Sequence, residues 1–140
     1  MQIEMLFLQK EKGSLPCAED ALLCIENVGI AGDCHADGSA RQISVLPHTA
    51  AEQIEEMKTG RPCLEKMKVN LIIRDAGQLS ENDYLQFDEA VLRITKKGRT
   101  CHGICDLAKR GTCCPLVGNL MFAEVIKGGT LRVKERGILL

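Results

Sequence analysis

The chain opens with an apolar run at residues 2–8 and turns polar over residues 10–16. A run of that length bounded by turn formers predicts a strand followed by a loop. Residues 21–28 are mostly apolar and predict a second strand. After Gly29 and Gly32 the pattern breaks into Asp33-Cys34-His35-Ala36-Asp37-Gly38-Ser39-Ala40, whose turn-forming residues predict an irregular loop. Residues 42–46 alternate polar and apolar positions, the period of a half-buried strand, and Pro47 stops it.

Thr49 and Glu52 have the spacing of a capping box, in which a hydroxyl and a carboxylate satisfy the free N–H groups of a first helical turn. Ala50, Ile54 and Met57 then recur at helical spacing among Glu52, Glu55, Glu56 and Lys58. Thr59-Gly60 ends the predicted helix. Residues 69–73 read as a short buried strand. Residues 85–87 and 90–95 read as a hairpin across Asp88-Glu89, and residues 104–109 as one or two helical turns. Residues 120–126 and 130–133 flank Lys127-Gly128-Gly129, a tight-turn signal. Residues 58–68 come nearest to a linker, with Gly60 and Pro62, yet they include apolar Leu64 and Met67. Many short strands and one clear helix predict a mainly β fold, a single domain over residues 1–140, closed or partly closed as a barrel with few short helices.

Composition narrows the function. The chain has 140 residues, 45% of them hydrophobic, so one core of ordinary size is expected. Aromatics make up only 3%, which is poor material for stacking bases. A net charge of −1 argues against a nucleic-acid partner. No apolar run approaches the roughly 20 residues that span a bilayer, so no membrane partner is expected. The first residues lack the basic region of a signal peptide, which predicts a cytoplasmic protein with reduced thiols. Eight cysteines in that setting favour metal, sulfur or redox chemistry over a disulfide framework.

Five Cys and His positions crowd one stretch: Cys101, His102, Cys105, Cys113 and Cys114. A strand precedes them, and Lys96, Lys97 and Arg99 lie between. Nearby positive charge favours thiolates, which bind metals or attack sulfur. Three readings stand. The five positions hold a zinc ion, for which the spacing is permissive without being a signature. Alternatively Cys101 is a working thiolate that carries a persulfide or ligates a soft metal such as molybdenum, or the thiols form a redox pair. Buried cysteine used as a small hydrophobe is the bland alternative, and Cys17, Cys24 and Cys63 are assigned to packing or surface. In the glycine-bearing loop, Asp33 has the reach to orient His35 or Arg41, and Arg41 offers a planar fork to phosphate or carboxylate. His48 is read as structural.

At these residues the chain resembles the MOSC family, named after the C-terminal part of molybdenum cofactor sulfurases. Gly29-Ile30-Ala31-Gly32-Asp33-Cys34-His35-Ala36 is similar to the family's G-[IL]-x-G-D-x-H-A block, and Arg41-Gln42-Ile43-Ser44 to its R-Q-[VI]-S strand. Asn70 in Val69-Asn70-Leu71 matches its N-[IL] position. Ile94-Thr95 leading to Cys101-His102 resembles its strand and cysteine, and Val125-Ile126-Lys127-Gly128-Gly129-Thr130-Leu131 its closing V-x-x-G-G-x-[IL] segment. The blocks fall in the same order from Gly29 to Leu131.

The resemblance implies a β-rich, barrel-like fold and a role in binding the molybdenum–pterin cofactor (molybdopterin) or carrying sulfur for it, as a sulfur transferase or carrier. It implies that Cys101 bears the sulfur or meets the metal. Arg41 and Arg99 would grip the pterin phosphate, Asp33 and His35 would shape the pocket, and Asn70 would join the cofactor site. The sulfurases hold pyridoxal phosphate in a separate domain, so that cofactor is not expected in this chain. Sulfur would arrive from a cysteine desulfurase or another donor and pass to a molybdenum enzyme or a cofactor-synthesis protein.

Overall fold

The computed structural model describes residues 1–101, 106–111 and 114–140. The fold is mainly β, with 37% of residues in strands and 17% in helices. In chain order the strands are β1 (Gln2–Leu8), β2 (Cys17–Glu19), β3 (Ala21–Ile25), β4 (Gly29–Ile30), β5 (Ile43–Pro47), β6 (Leu71–Arg74), β7 (Tyr84–Gln86), β8 (Val91–Lys97), β9 (Met121–Lys127), β10 (Gly129–Arg132) and β11 (Ile138–Leu139). Helices α1 (His48–Met57) and α2 (Pro62–Glu65) lie between β5 and β6, and α3 (Asp106–Lys109) and α4 (Pro115–Asn119) between β8 and β9.

Eight strands form one mixed sheet in the order β11-β7-β8-β9-β5-β6-β1-β2, and β10-β3-β4 form a second. Strands β5 and β6 pair in parallel because α1 and α2 carry the chain across between them. The alternation of side chains along a strand then divides the core. Ile43, Val45, Leu71 and Ile73 face one buried cluster with Ile3, Leu6, Leu92, Ile94 and Val125. Leu46 and Ile72 point the other way, onto Ala50 and Ile54 of α1, Leu64 of α2, Leu107 of α3 and Leu116 of α4.

Of the closed or partly closed barrel expected, the closed form is not made: the large sheet ends openly at β11 and β2. Residues 134–137 reach across to β1 through one isolated bridge, Gln2 to Arg136, and a few backbone bonds, among them Lys134 N–H to the Ile3 carbonyl at 2.8 Å. The reason is local. Lys134 has a φ of +71°, so the segment turns where a ladder would need it extended.

The capping box also does not form. Helix α1 begins two residues earlier, at His48, with Pro47 at its N-cap and no side-chain cap. Glu52 Oε1 lies 2.8 Å from Nε2 of His48, and Nδ1 of His48 meets Glu4 on β1. The imidazole thus fastens the helix start to β1, the structural role expected of it. The predicted hairpin of residues 85–87 and 90–95 is β7–β8, paired in register from Tyr84–Arg93 to Gln86–Val91. Strands β9 and β10, by contrast, do not pair with each other: β9 joins β8 and β5, while β10 joins β3 in the second sheet. The Gly128-Gly129 turn is a crossing between sheets.

That crossing needs a bare backbone. A Cβ on Gly129 would lie 2.5 Å from Cβ of Glu89 and 2.7 Å from its carbonyl carbon. We expect Gly129→Ala to destabilise the protein by about 1–3 kcal/mol, the usual range for forced overpacking, measured by urea unfolding. An unchanged midpoint would show that the β7–β8 turn yields freely.

Candidate functional site

A cavity of about 390 Å³ opens between the loop before β5, the segment after α2 and the end of β8. His35 and Arg41 come from the first, Lys66, Met67, Lys68 and Asn70 from the second, and Arg99 and Thr100 from the third; Ser44 of β5 with Leu120 and Phe122 completes the wall. Four of these residues are cationic, and no carboxylate lines the cavity among the described residues.

A buried hydrogen-bond knot sets the shape of this site. The Asp33 side chain is fully shielded from solvent. Its Oδ1 accepts from the Gln9 backbone N–H at 2.9 Å and from Asn70 Nδ2 at 3.1 Å. Its Oδ2 accepts from the His35 backbone N–H at 3.0 Å and lies 3.3 Å from His35 Nδ1. Asn70 is equally committed. Its other Nδ2 hydrogen goes to the Phe7 carbonyl at 3.1 Å, and its Oδ1 accepts from Ser44 N–H and Ser44 Oγ at 3.0 and 3.1 Å. A carboxamide has two donor hydrogens and two lone pairs, so none is left for a ligand. Asn70 shapes the wall, and Asp33 holds His35 at its edge.

Arg41 stands at the exposed mouth, with its Cζ 5.1 Å from the ring centroid of Phe122. That separation suits a cation–π contact, which fixes the plane of the fork. Arginines 61, 74, 93, 110 and 132 instead each hold a carboxylate. Lys66 and Lys68 arise from residues 58–68, the stretch whose sequence came nearest to a linker. No periodic signal marked them, because Lys66 lies in the turn that ends α2 and Met67 between them lines the same cavity. Met67, Leu120 and Phe122, also unforeseen, give the cavity an apolar wall.

Cys101 follows Thr100 directly and is exposed. Neither Lys96 nor Lys97 lines the cavity, whereas Arg99 does. Cys114 is half-buried at the start of α4, against the second core cluster. His102, Cys105 and Cys113 of the proposed zinc set lie outside the described residues. Cys24 is buried, and burial, aided by Glu135, pushes its thiol up to about 12. Cys17 is exposed and Cys63 half-buried.

Asp33, Cys34 and His35 offer three donor atoms within 4.8 Å of one another. The Cys34 Sγ lies 3.3 Å from His35 Nδ1. Burial and then the Asp33 charge raise this thiol above its ordinary value, disfavouring the thiolate a metal needs. With Asp33 already saturated and four cations on the neighbouring wall, the cluster anchors the loop and is a poor cation site.

The cysteine-bearing stretch is tied down from the other side. Arg61 grips Asp106 of α3 bidentately, Nε to Oδ1 and Nη2 to Oδ2, both at 3.1 Å. The Arg61 hydrogen bond holds the Asp106 carboxyl below the usual carboxylate range.

Among proteins of known sequence, no family model and no curated protein matches this chain. Solved structures do match. The YuaD protein of Bacillus subtilis superposes with a TM-score of 0.71 at 16% identity, over 96% of this chain and 92% of its own. YiiM of Escherichia coli gives 0.66 at 16% identity, over 100% and 70%. YiiM of Geobacillus stearothermophilus gives 0.66 at 14%, over 99% and 74%. These solved structures share the fold of this chain. At such identities the likeness extends to the fold alone.

Two outcomes follow from the knot and the clamp. Asn70→Ala leaves Ser44 N–H and one Asp33 oxygen short of buried partners, and should cost about 2–4 kcal/mol in urea unfolding; a loss below about 0.5 kcal/mol, the size of a neutral surface change, would mean that water replaces the amide. For Asp106, a carboxyl depressed in the folded state stabilises above the unfolded value of about 3.9. That contribution disappears as pH falls through the lower folded value. The stability gap between wild type and Arg61→Met should therefore narrow from about pH 5 to about pH 2; a constant gap would remove Asp106 from the account.

Proposed function

We propose that this cavity binds a phosphate-bearing anion of the molybdenum–pterin class and that Cys101, beside it, carries sulfur. The observation that carries the reading is the cationic wall of Arg41, Lys66, Lys68 and Arg99, without a lining carboxylate among the described residues, in a MOSC-like fold.

The residues present fit such a group. Arg41 and Arg99 would hold its phosphate by charge-assisted hydrogen bonds. Met67, Leu120 and Phe122 would lie against a planar heterocycle, with the Thr100 hydroxyl at its edge. When bound, such a cofactor supplies a metal centre whose terminal ligand is exchangeable for sulfur.

The chain's own chemistry lies at the thiol. Cys101 is exposed and reachable by a donor protein. As thiolate it attacks the outer sulfur of the donor's persulfide. The donor's S–S bond breaks, the donor leaves as a thiolate, and a new S–S bond forms on Cys101. Sulfane sulfur moves without net oxidation or reduction.

The test is cyanolysis after incubation with a cysteine desulfurase and free cysteine. Wild type should release sulfane sulfur as thiocyanate, and Cys101→Ala should fall to the level of a desulfurase-only control. Equal release from the variant would overturn the carrier role.

A further inference from the structure

We infer that the ligand of this cavity carries two phosphoryl groups in one molecule, a diphosphate, instead of a single phosphate monoester. The inference rests on the anion-binding reading above and names the class of anion.

The argument is one of charge. Among the described residues no ion pair engages Arg41, Lys66 or Lys68. Arg41 is pinned over Phe122, and the two lysines hold no carboxylate. A phosphate monoester brings about −1.5 to −2 at neutral pH, which leaves part of these three charges unmatched. A diphosphate adds a further phosphoryl charge, to about −3, and matches them. Arg99 adds positive charge to the same wall and is left out of the count.

The arrangement supports two grips, not one. Arg41 comes from the loop before β5, while Lys66 and Lys68 come from the segment after α2. Along that segment, Lys66 and Lys68 turn to this cavity. Val69 lines a second cavity of about 380 Å³ whose wall bears Glu4, Glu52 and Glu55. The segment therefore sorts charge, with cations on one side and carboxylates on the other. Asp33 does not offset the lysines at the wall, because its carboxylate faces inward to Gln9, Asn70 and His35. One phosphoryl group would meet Arg41 and the second the lysine pair.

Isothermal titration of the full chain with inorganic pyrophosphate and with orthophosphate, at one ionic strength in magnesium-free buffer, tests this. Pyrophosphate should bind at least about ten-fold tighter, the worth of one added charge-assisted contact. The double variant Lys66→Met/Lys68→Met should weaken pyrophosphate about ten-fold or more and orthophosphate less than about three-fold, with an unchanged melting temperature. If both anions bind equally and Arg41→Ala weakens both, the diphosphate inference fails while the anion site stands. If neither anion binds wild type, the anion-binding reading itself fails, and this inference with it.

Discussion

The buried pair Asp33 and Asn70 holds the site together. A carboxylate shielded from water is costly unless its lone pairs are taken, and here four contacts take them. Those contacts come from three parts of the chain. Gln9 lies just past β1, His35 on the loop before β5, and Asn70 just before β6; through Asn70 the knot also reaches Ser44 on β5 and Phe7 on β1. In a low dielectric such a network is all or nothing, because each member satisfies another. The loop carrying His35 and Arg41 has little regular structure, so this knot does for it what a sheet ladder does for a strand.

The knot also explains how one small protein keeps charges of both signs in order. The negative charge of Asp33 is turned inward and solvated by N–H groups. The positive charges of Arg41, Lys66 and Lys68 are left at the opening, where water screens them when no ligand is present. The thiols divide along the same line. Cys24 sits inside, where burial suppresses the thiolate, and it behaves as a small hydrophobe. Cys34 is held back by burial and by Asp33. Cys101 is exposed beside residues that line the cationic wall, so chemistry needing a thiolate has its best access there.

Much of the architecture was legible in residue patterns, because strand burial writes itself as short apolar runs. β1 matches its expected bounds, and β5 and the β7–β8 hairpin lie within a residue or two of theirs. Three features were not legible, each for a physical reason. The capping box at Thr49 and Glu52 lost to tertiary contact, since His48 reaches Glu4 and starts the helix early. Sheet closure depends on whether residues 134–137 lie flat or turn, which apolar periodicity does not encode. Lys66 and Lys68 fell unmarked in the stretch nearest to a linker, because only the packing of α2 against α1 and β6 brings their segment beside Arg41. The loop residues His35 and Arg41 were legible as a pocket edge. Of the two partners within reach of Asp33 in the sequence, His35 is the one it binds, and Arg41 lies on Phe122.

The blocks that carry the family resemblance mix two kinds of residue, and the structure separates them. In Arg41-Gln42-Ile43-Ser44, Arg41 faces the cavity while Gln42 is buried and accepts the Val125 N–H on β9 at 3.0 Å. Ile43 fills the core, and Ser44 turns back to Asn70. Gly29 has a φ of +137° and would place a Cβ 3.1 Å from the Ala36 backbone. Gly129 lies against Glu89 more closely still. Most of the shared positions are therefore demanded by backbone approach and buried polar pairing, which any chain with this topology must solve. They say little about ligand choice. That choice falls to the cavity wall, where the lysine pair lies outside every matching block, and differences in substrate among proteins of this fold should be sought in that segment.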